Sequence, residues 1–116
     1  MEGEDIFLKR TISEINEYIA TKLKNDILLK SLNFDGEIID EPSFRKNVFL
    51  TISDNEASIS CVIWNNYLKN IDSNLLKKGK KINVTGNIYP FSKTGKYVFD
   101  IRNYLLFLFF HHLFIF

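Results

Sequence analysis

Four aromatic residues and four cations fall where they could act on one ligand. Phe49 and Trp64 project outward from two successive stretches of alternating residues, with Thr51 and Ser60 between them. Tyr89 and Phe91 lead into a turn that carries Lys93 and Lys96, and Arg45 and Lys46 lie in an earlier loop. Rings of this kind stack on planar bases, each stack contributing about 1–3 kcal/mol, while lysine and arginine neutralise phosphates. Threonine and serine hydroxyls between them reach bases or sugars. Each ring also has a structural reading. Phe49 reads equally as a platform or as a residue covered by an N-terminal helix, and Trp64 equally as a cap on the core. Tyr97 reads as core, and the basic run 77–81 as a solvated turn.

No catalytic centre assembles from the remaining residues. Asp35 and Glu37 share an exposed strand face, but no third carboxylate or histidine stands at fixed spacing to complete a metal site. A phosphate-cradling glycine loop is absent, and no nucleophile has a base nearby. The lone Cys61 sits inside an apolar strand, where it reads as a small buried residue. No catalytic residue, metal or cofactor is assigned.

Elements must position the rings. Thr11 and Glu14 have capping-box spacing, and Ile12, Ile15, Ile19 and Leu23 form one stripe at helical steps, so a helix is expected over 11–23, packed on the rest of the domain. Five alternating stretches follow, near 32–40, 47–53, 57–64, 81–89 and 97–104. Leu32, Phe34, Gly36 and Ile38 share a face; so do Val48, Leu50 and Ile52, then Ile59, Cys61 and Ile63, then Ile82, Val84, Gly86 and Ile88, then Tyr97, Phe99 and Ile101. Gly36 stands where a tightly curled strand must bend. Spaced apolar residues within 65–78 predict a short helix between the third and fourth strands. The expected fold is therefore mainly β: a five-stranded OB-fold barrel with an N-terminal amphipathic α-helix and that short insert.

Composition sets the remaining bounds. A chain of 116 residues with 46% hydrophobic content suits one domain with a real core. The net charge of +1 supplies no global field, so any polyanion must be held by local charge. Residues 1–10 read as an acidic tail without the basic start of a signal peptide, which points to the cytoplasm. Residues 11–104 read as the nucleic-acid-binding domain. Residues 105–116 read as a hydrophobic C-terminal tail, expected to be the truncated or frameshifted end of a longer protein. Twelve residues fall short of the ~20 a helical membrane span needs, and membrane binding is not the reading adopted. His111 and His112 lack a third ligand.

Taken in order, Ile12-Ser-Glu-Ile-Asn16, Leu28-Leu29, Gly36-Glu-Ile38, Val48-Phe-Leu-Thr-Ile-Ser-Asp54 and Ile59-Ser-Cys-Val-Ile63 resemble the N-terminal domain of the exodeoxyribonuclease VII large subunit. Gly79, Val84-Thr-Gly-Asn-Ile88 and Gly95-Lys-Tyr97 continue the resemblance, which covers about 11–104. It implies an OB-fold that binds single-stranded DNA, followed in the family by a catalytic domain and a helical region that recruits small subunits. The family degrades single-stranded DNA to oligonucleotides. This chain has no recognisable catalytic domain and no small-subunit-binding region, so the resemblance implies the binding module and the nuclease only by association. Lys46-Asn47 stand where the family usually has Gly-His, and Asn65 and Asn87 where it has arginines. Phosphate contacts therefore fall to Arg45, Lys46, Lys93 and Lys96. Two further readings are a stand-alone RNA- or tRNA-binding OB module and a protein-interaction barrel without nucleic-acid binding.

Overall fold

Thr11 caps the first helix as its spacing requires. Its hydroxyl accepts from the Glu14 N–H at 3.0 Å, and the Glu14 carboxylate accepts from the Thr11 N–H at 2.8 Å. Both bonds satisfy amides that a helix start leaves orphaned. Helix α1 then runs Ile12–Asn25, and Asp26 ends it by starting a 3₁₀ turn at Ile27–Leu29. The structure, a computed structural model, describes residues 7–67, 75–108 and 112–115.

The strands are β1 (Leu32–Ile38), β2 (Ser43–Phe44), β3 (Val48–Ser53), β4 (Ser58–Ile63), β5 (Lys81–Phe91), β6 (Lys96–Leu108) and β7 (His112–Ile115). Their order in the sheet is β1-β5-β6-β4-β3-β2, and β1 also pairs with β3, which closes β1, β5, β6, β4 and β3 into a barrel. Among the described residues one strand pairing is parallel: β4 with β6, which matches Cys61 to Phe99 and Val62 to Asp100. Closure leaves few open edges for another chain to extend. The expected five-stranded barrel is thus the observed one. Of the expected helical insert, a 3₁₀ turn at Asn65–Tyr67 is seen, and residues 68–74 lie outside those described.

Alternation fills the interior as the sequence requires. Val48, Leu50 and Ile52 of β3 are buried, as are Cys61 and Ile63 of β4, and Ile82 and Val84 of β5. Phe34, half-buried, meets the fully buried Phe99 edge to face at 4.7 Å, so a ring at the barrel rim packs on one at the centre without stacking flat. Leu76, from the segment before β5, is buried with them.

Three expectations change. Tyr97 is 54% exposed rather than core. The end of the β5–β6 hairpin projects past its neighbours: β1 pairs with β5 only as far as Gly86, and β4 meets β6 only from Phe99. Tyr97 therefore rims an open hollow over Phe34, Ile52 and Ile59. Secondly, α1 does not turn its expected stripe inward. Ala20 is buried, whereas Ile12 is 78% and Ile19 50% exposed. Ile15 is also exposed, Leu23 alone of the four is half-buried, and the buried face runs beside the stripe. Thirdly, the residues assigned to a tail at 105 begin inside the barrel, since β6 continues to Leu108 and Leu106 is buried opposite Ile82. β7 pairs back onto this extension, Leu105 with Ile115 through Leu108 with His112.

A bulge makes that extension fit. Gly86 pairs with Ile101 and Thr85 with Asn103, which leaves Arg102 as the extra residue. One extra residue reverses the alternation, so Ile101 and Tyr104 both point inward and are buried. Among the described residues no helix is long and apolar enough to cross a membrane.

Candidate nucleic-acid interface

Strands β3 and β4 pair in register, and the register sets the first part of the site. Phe49 lies opposite Val62 and Thr51 opposite Ser60. Phe49 is 42% exposed; α1 packs chiefly against β5 and does not bury this ring. Ser60 is exposed. Thr51 is committed locally: its N–H donates to Asp40 Oδ1 at 2.9 Å and its hydroxyl donates to Asp40 Oδ2 at 2.7 Å. Only the lone pairs of that hydroxyl remain for a ligand. Asp40, two residues past the end of β1, thereby ties the exit of β1 to the middle of β3.

The second part is a cluster of three rings. Trp64 follows β4, and its ring centroid lies 5.4 Å from that of Tyr89 and 6.4 Å from that of Phe91. Tyr89 and Phe91 are 5.3 Å apart. All three contacts are close to perpendicular, the edge-to-face arrangement that ring quadrupoles favour. Tyr89 is 40% exposed, while Trp64 and Phe91 are half-buried. Tyr89 and Phe91 share a face of β5 because they are two residues apart. That Trp64 would join them depends on closure between β4 and β6, which alternation cannot reveal.

Cations stand at two turns. Arg45 and Lys46 are exposed at the tip of the β2–β3 hairpin, which pairs Ser43 with Phe49 and Phe44 with Val48. This tip is tied to the strand that carries Trp64, since the Asn65 N–H donates to Asn47 Oδ1 at 2.8 Å. Phe44, 44% exposed beside this turn, adds an aromatic that strand alternation does not point to, because β2 has only two residues. Lys93 and Lys96 are exposed around the β5–β6 turn, and Lys96 pairs directly with Phe91. The turn closes through the Gly95 N–H, which donates to the Phe91 carbonyl at 2.9 Å, and Gly95 holds φ +69°, a left-handed conformation suited to glycine.

Two carboxylates near the barrel wall are held by neighbouring side chains, Asp100 by a cation and the exposed Asp35 of β1 by an amide. Asp100, buried next to Val62 in register, accepts from Arg102 Nε at 2.9 Å. Asp35 accepts from Asn83 Nδ2 at 2.6 Å, within a row of side-chain amides that includes Asn33. Among the described residues no three His, Cys, Asp or Glu side chains converge to hold a metal ion.

Cys61 is buried, and burial pushes its thiol up to about 12, helped by the negative charge of Asp40. The thiolate is the reactive form. Native protein at pH 8 is therefore expected not to react with Ellman's reagent within the time urea-unfolded protein takes to react completely. Equal native and unfolded rates would place this side chain outside the core.

These features agree with the comparisons to known proteins. The family described as an OB-fold nucleic acid binding domain matches residues 10–104. The chain belongs to this family. Its OB-fold domain is also 32% identical over 93 residues to the exodeoxyribonuclease 7 large subunit of Caldanaerobacter subterraneus subsp. tengcongensis, covering 80% of this chain and 23% of that protein. The large subunit from a Thermoanaerobacter species is 33% identical over 86 residues, 74% of this chain and 21% of that protein. The chain thus spans between a fifth and a quarter of the length of these relatives. Among solved structures, the asparaginyl-tRNA synthetase of Pyrococcus horikoshii superposes with a TM-score of 0.53 at 15% identity, covering 68% of this chain and 20% of that one. That likeness is one of fold. The domain is an OB-fold nucleic-acid-binding domain related to the exodeoxyribonuclease 7 large subunit.

Proposed function

We propose that this domain holds single-stranded DNA as the binding module of an exodeoxyribonuclease VII large subunit, whose full-length form degrades the strand to oligonucleotides. The observation that carries this reading is the joining of Trp64, Tyr89 and Phe91 into one partly exposed cluster on a closed barrel. Phe49 stays exposed on β3, and basic turns carry Arg45, Lys46, Lys93 and Lys96. Bases of an unpaired strand present π-faces to such rings, whereas a duplex hides them. The cations supply phosphate contacts, and Ser60 with the lone pairs of Thr51 supplies hydrogen-bonding groups between the rings. Delivery of the strand to a catalytic domain, and assembly with small subunits, belong to the full-length protein in this reading.

Fluorescence anisotropy with a labelled oligothymidylate tests it. Single-stranded DNA is expected to bind at low salt, and a duplex of the same length more weakly. The logarithm of the affinity should fall linearly with that of salt concentration, with a slope of about −0.7 per phosphate contacted. Competition by an RNA of equal length distinguishes the second reading. Tighter binding of RNA would point to contacts with the 2′-hydroxyl and overturn the DNA assignment. A folded protein that binds no oligonucleotide at low salt would instead be a protein-interaction barrel.

A further inference from the structure

We infer that a nucleotide binding site extends beyond the barrel face into the groove between α1 and the β5–β6 turn, where Lys24 and Lys93 hold one backbone phosphate. This rests on the single-strand reading and adds to it a path for the strand and a role for the N-terminal helix. The groove is a hollow of about 400 Å³ lined by Lys24, Tyr89, Phe91, Ser92 and Lys93, among others. Its size falls in the range of small-ligand clefts, roughly 300–1,000 Å³. Two of its walls are the rings that also pack on Trp64. A base resting against Tyr89 therefore places its own phosphate beside the two ammonium groups, without a gap in the chain of contacts.

Packing fixes the helix over the turn, so the two lysines face one groove by construction. Ala20 of α1 is buried, and Asn16 comes so close to the turn that its Oδ1 would lie 3.0 Å from a Cβ on Gly95. Charge also gives the groove an end. Among the described residues no carboxylate lines the hollow that holds Lys24, whereas the neighbouring hollow, which shares Ser92 and Lys93, is lined by Glu17. The first hollow offers a phosphate two ammonium groups, whereas in the second the Glu17 carboxylate offsets the charge of Lys93, so the first is favoured. Lys22, by contrast, lies over the Tyr18 ring at 5.3 Å and does not line the groove.

The test compares two lysines on the same helix. Lys24→Ala is expected to weaken binding of a twelve-nucleotide oligothymidylate about three- to fivefold at low salt, the scale of one exposed charge contact. It should also reduce the salt slope by about 0.7. Lys22→Ala, with the same change in net charge, should leave both within error. Equal effects from the two variants would mean that only the overall field matters and would overturn the groove. So would an unchanged slope in Lys24→Ala while Trp64→Ala still weakens binding, an outcome that leaves the barrel-face reading standing. Failure of the wild-type chain to bind any oligonucleotide would remove both readings together.

Discussion

A chain carrying Gly86→Ala is expected to lose about 3 kcal/mol or more of stability, the upper end of the usual range for overpacking a filled interior. The new Cβ would fall inside the van der Waals envelope of the Asp100 carbonyl oxygen and 3.0 Å from Phe99 Cε2. The first of these is backbone, which cannot swing aside as a flexible side chain would. It belongs to β6 beside the bulge between Thr85 and Gly86, where the pairing is already irregular. Relief would have to part β5 from β6, and that pair carries the extension on which Tyr104 and Leu106 are buried. For a domain of this size 1 kcal/mol corresponds to roughly 4–8 °C in melting temperature, so the expected fall is about 12–24 °C. Gly79→Ala is the matched comparison. Gly79 holds φ +91°, but a Cβ there would meet nothing within 4 Å. That variant stores only backbone strain, about 1–2 kcal/mol. Melting curves followed by circular dichroism decide the matter, and a Gly86→Ala transition no lower than that of Gly79→Ala would refute the close approach.

The contrast between those two glycines shows what the sequence can and cannot disclose. Gly36 was legible as a bend because it interrupts an alternating strand. Its neighbours were not: a Cβ there would strike Ile52 Cγ2, and Ser53 O would lie 2.9 Å away, because β1 passes from β5 to β3 at that point. Local chemistry was readable wherever it is local in the chain. The Thr11–Glu14 box and the inward faces of β3 and β5 need only residues a few positions apart. The Arg102 bulge was not readable, since it depends on how thirteen residues of β6 count against eleven of β5. Nor was the burial of Val62 and Asp100, which sit on the parity opposite the core and are covered only once the barrel closes. The stripe on α1 was found by its period, yet period does not say how far a helix rolls. The face turned to the sheet centres on Ala20, which leaves Ile12 and Ile19 outside. For the site, the types and strand positions of the rings were legible. Their assembly into a single cluster was a consequence of closure, and Asp40's hold on Thr51 a consequence of a loop with no periodic pattern to read.

That assembly makes a specific prediction about how the rings share the work of binding. Trp64→Ala is expected to weaken binding of single-stranded DNA by about 1–3 kcal/mol, the contribution of one base–aromatic stack, or roughly 5–150-fold. Tyr89→Ala should do less when Trp64 is already alanine than in the wild type. Each ring packs edge-on against the others, so removing Trp64 also releases Tyr89 and Phe91 from their fixed geometry. Neighbours that share a contact couple in this way, whereas separated sites add. Phe49 makes no ring contact with the cluster, and Phe49→Ala combined with Trp64→Ala should be close to additive. The chain has one tryptophan, so its fluorescence reports on this position alone. A bound oligothymidylate stacked on the indole should quench it, with the same affinity that anisotropy gives. Trp64→Phe, which keeps an aromatic face, should retain most of the binding, and melting curves separate any loss of stability from a loss of contact. If the Phe49 and Trp64 double variant binds as tightly as the wild type, and the wild-type indole is not quenched at saturation, the strand does not lie on this face.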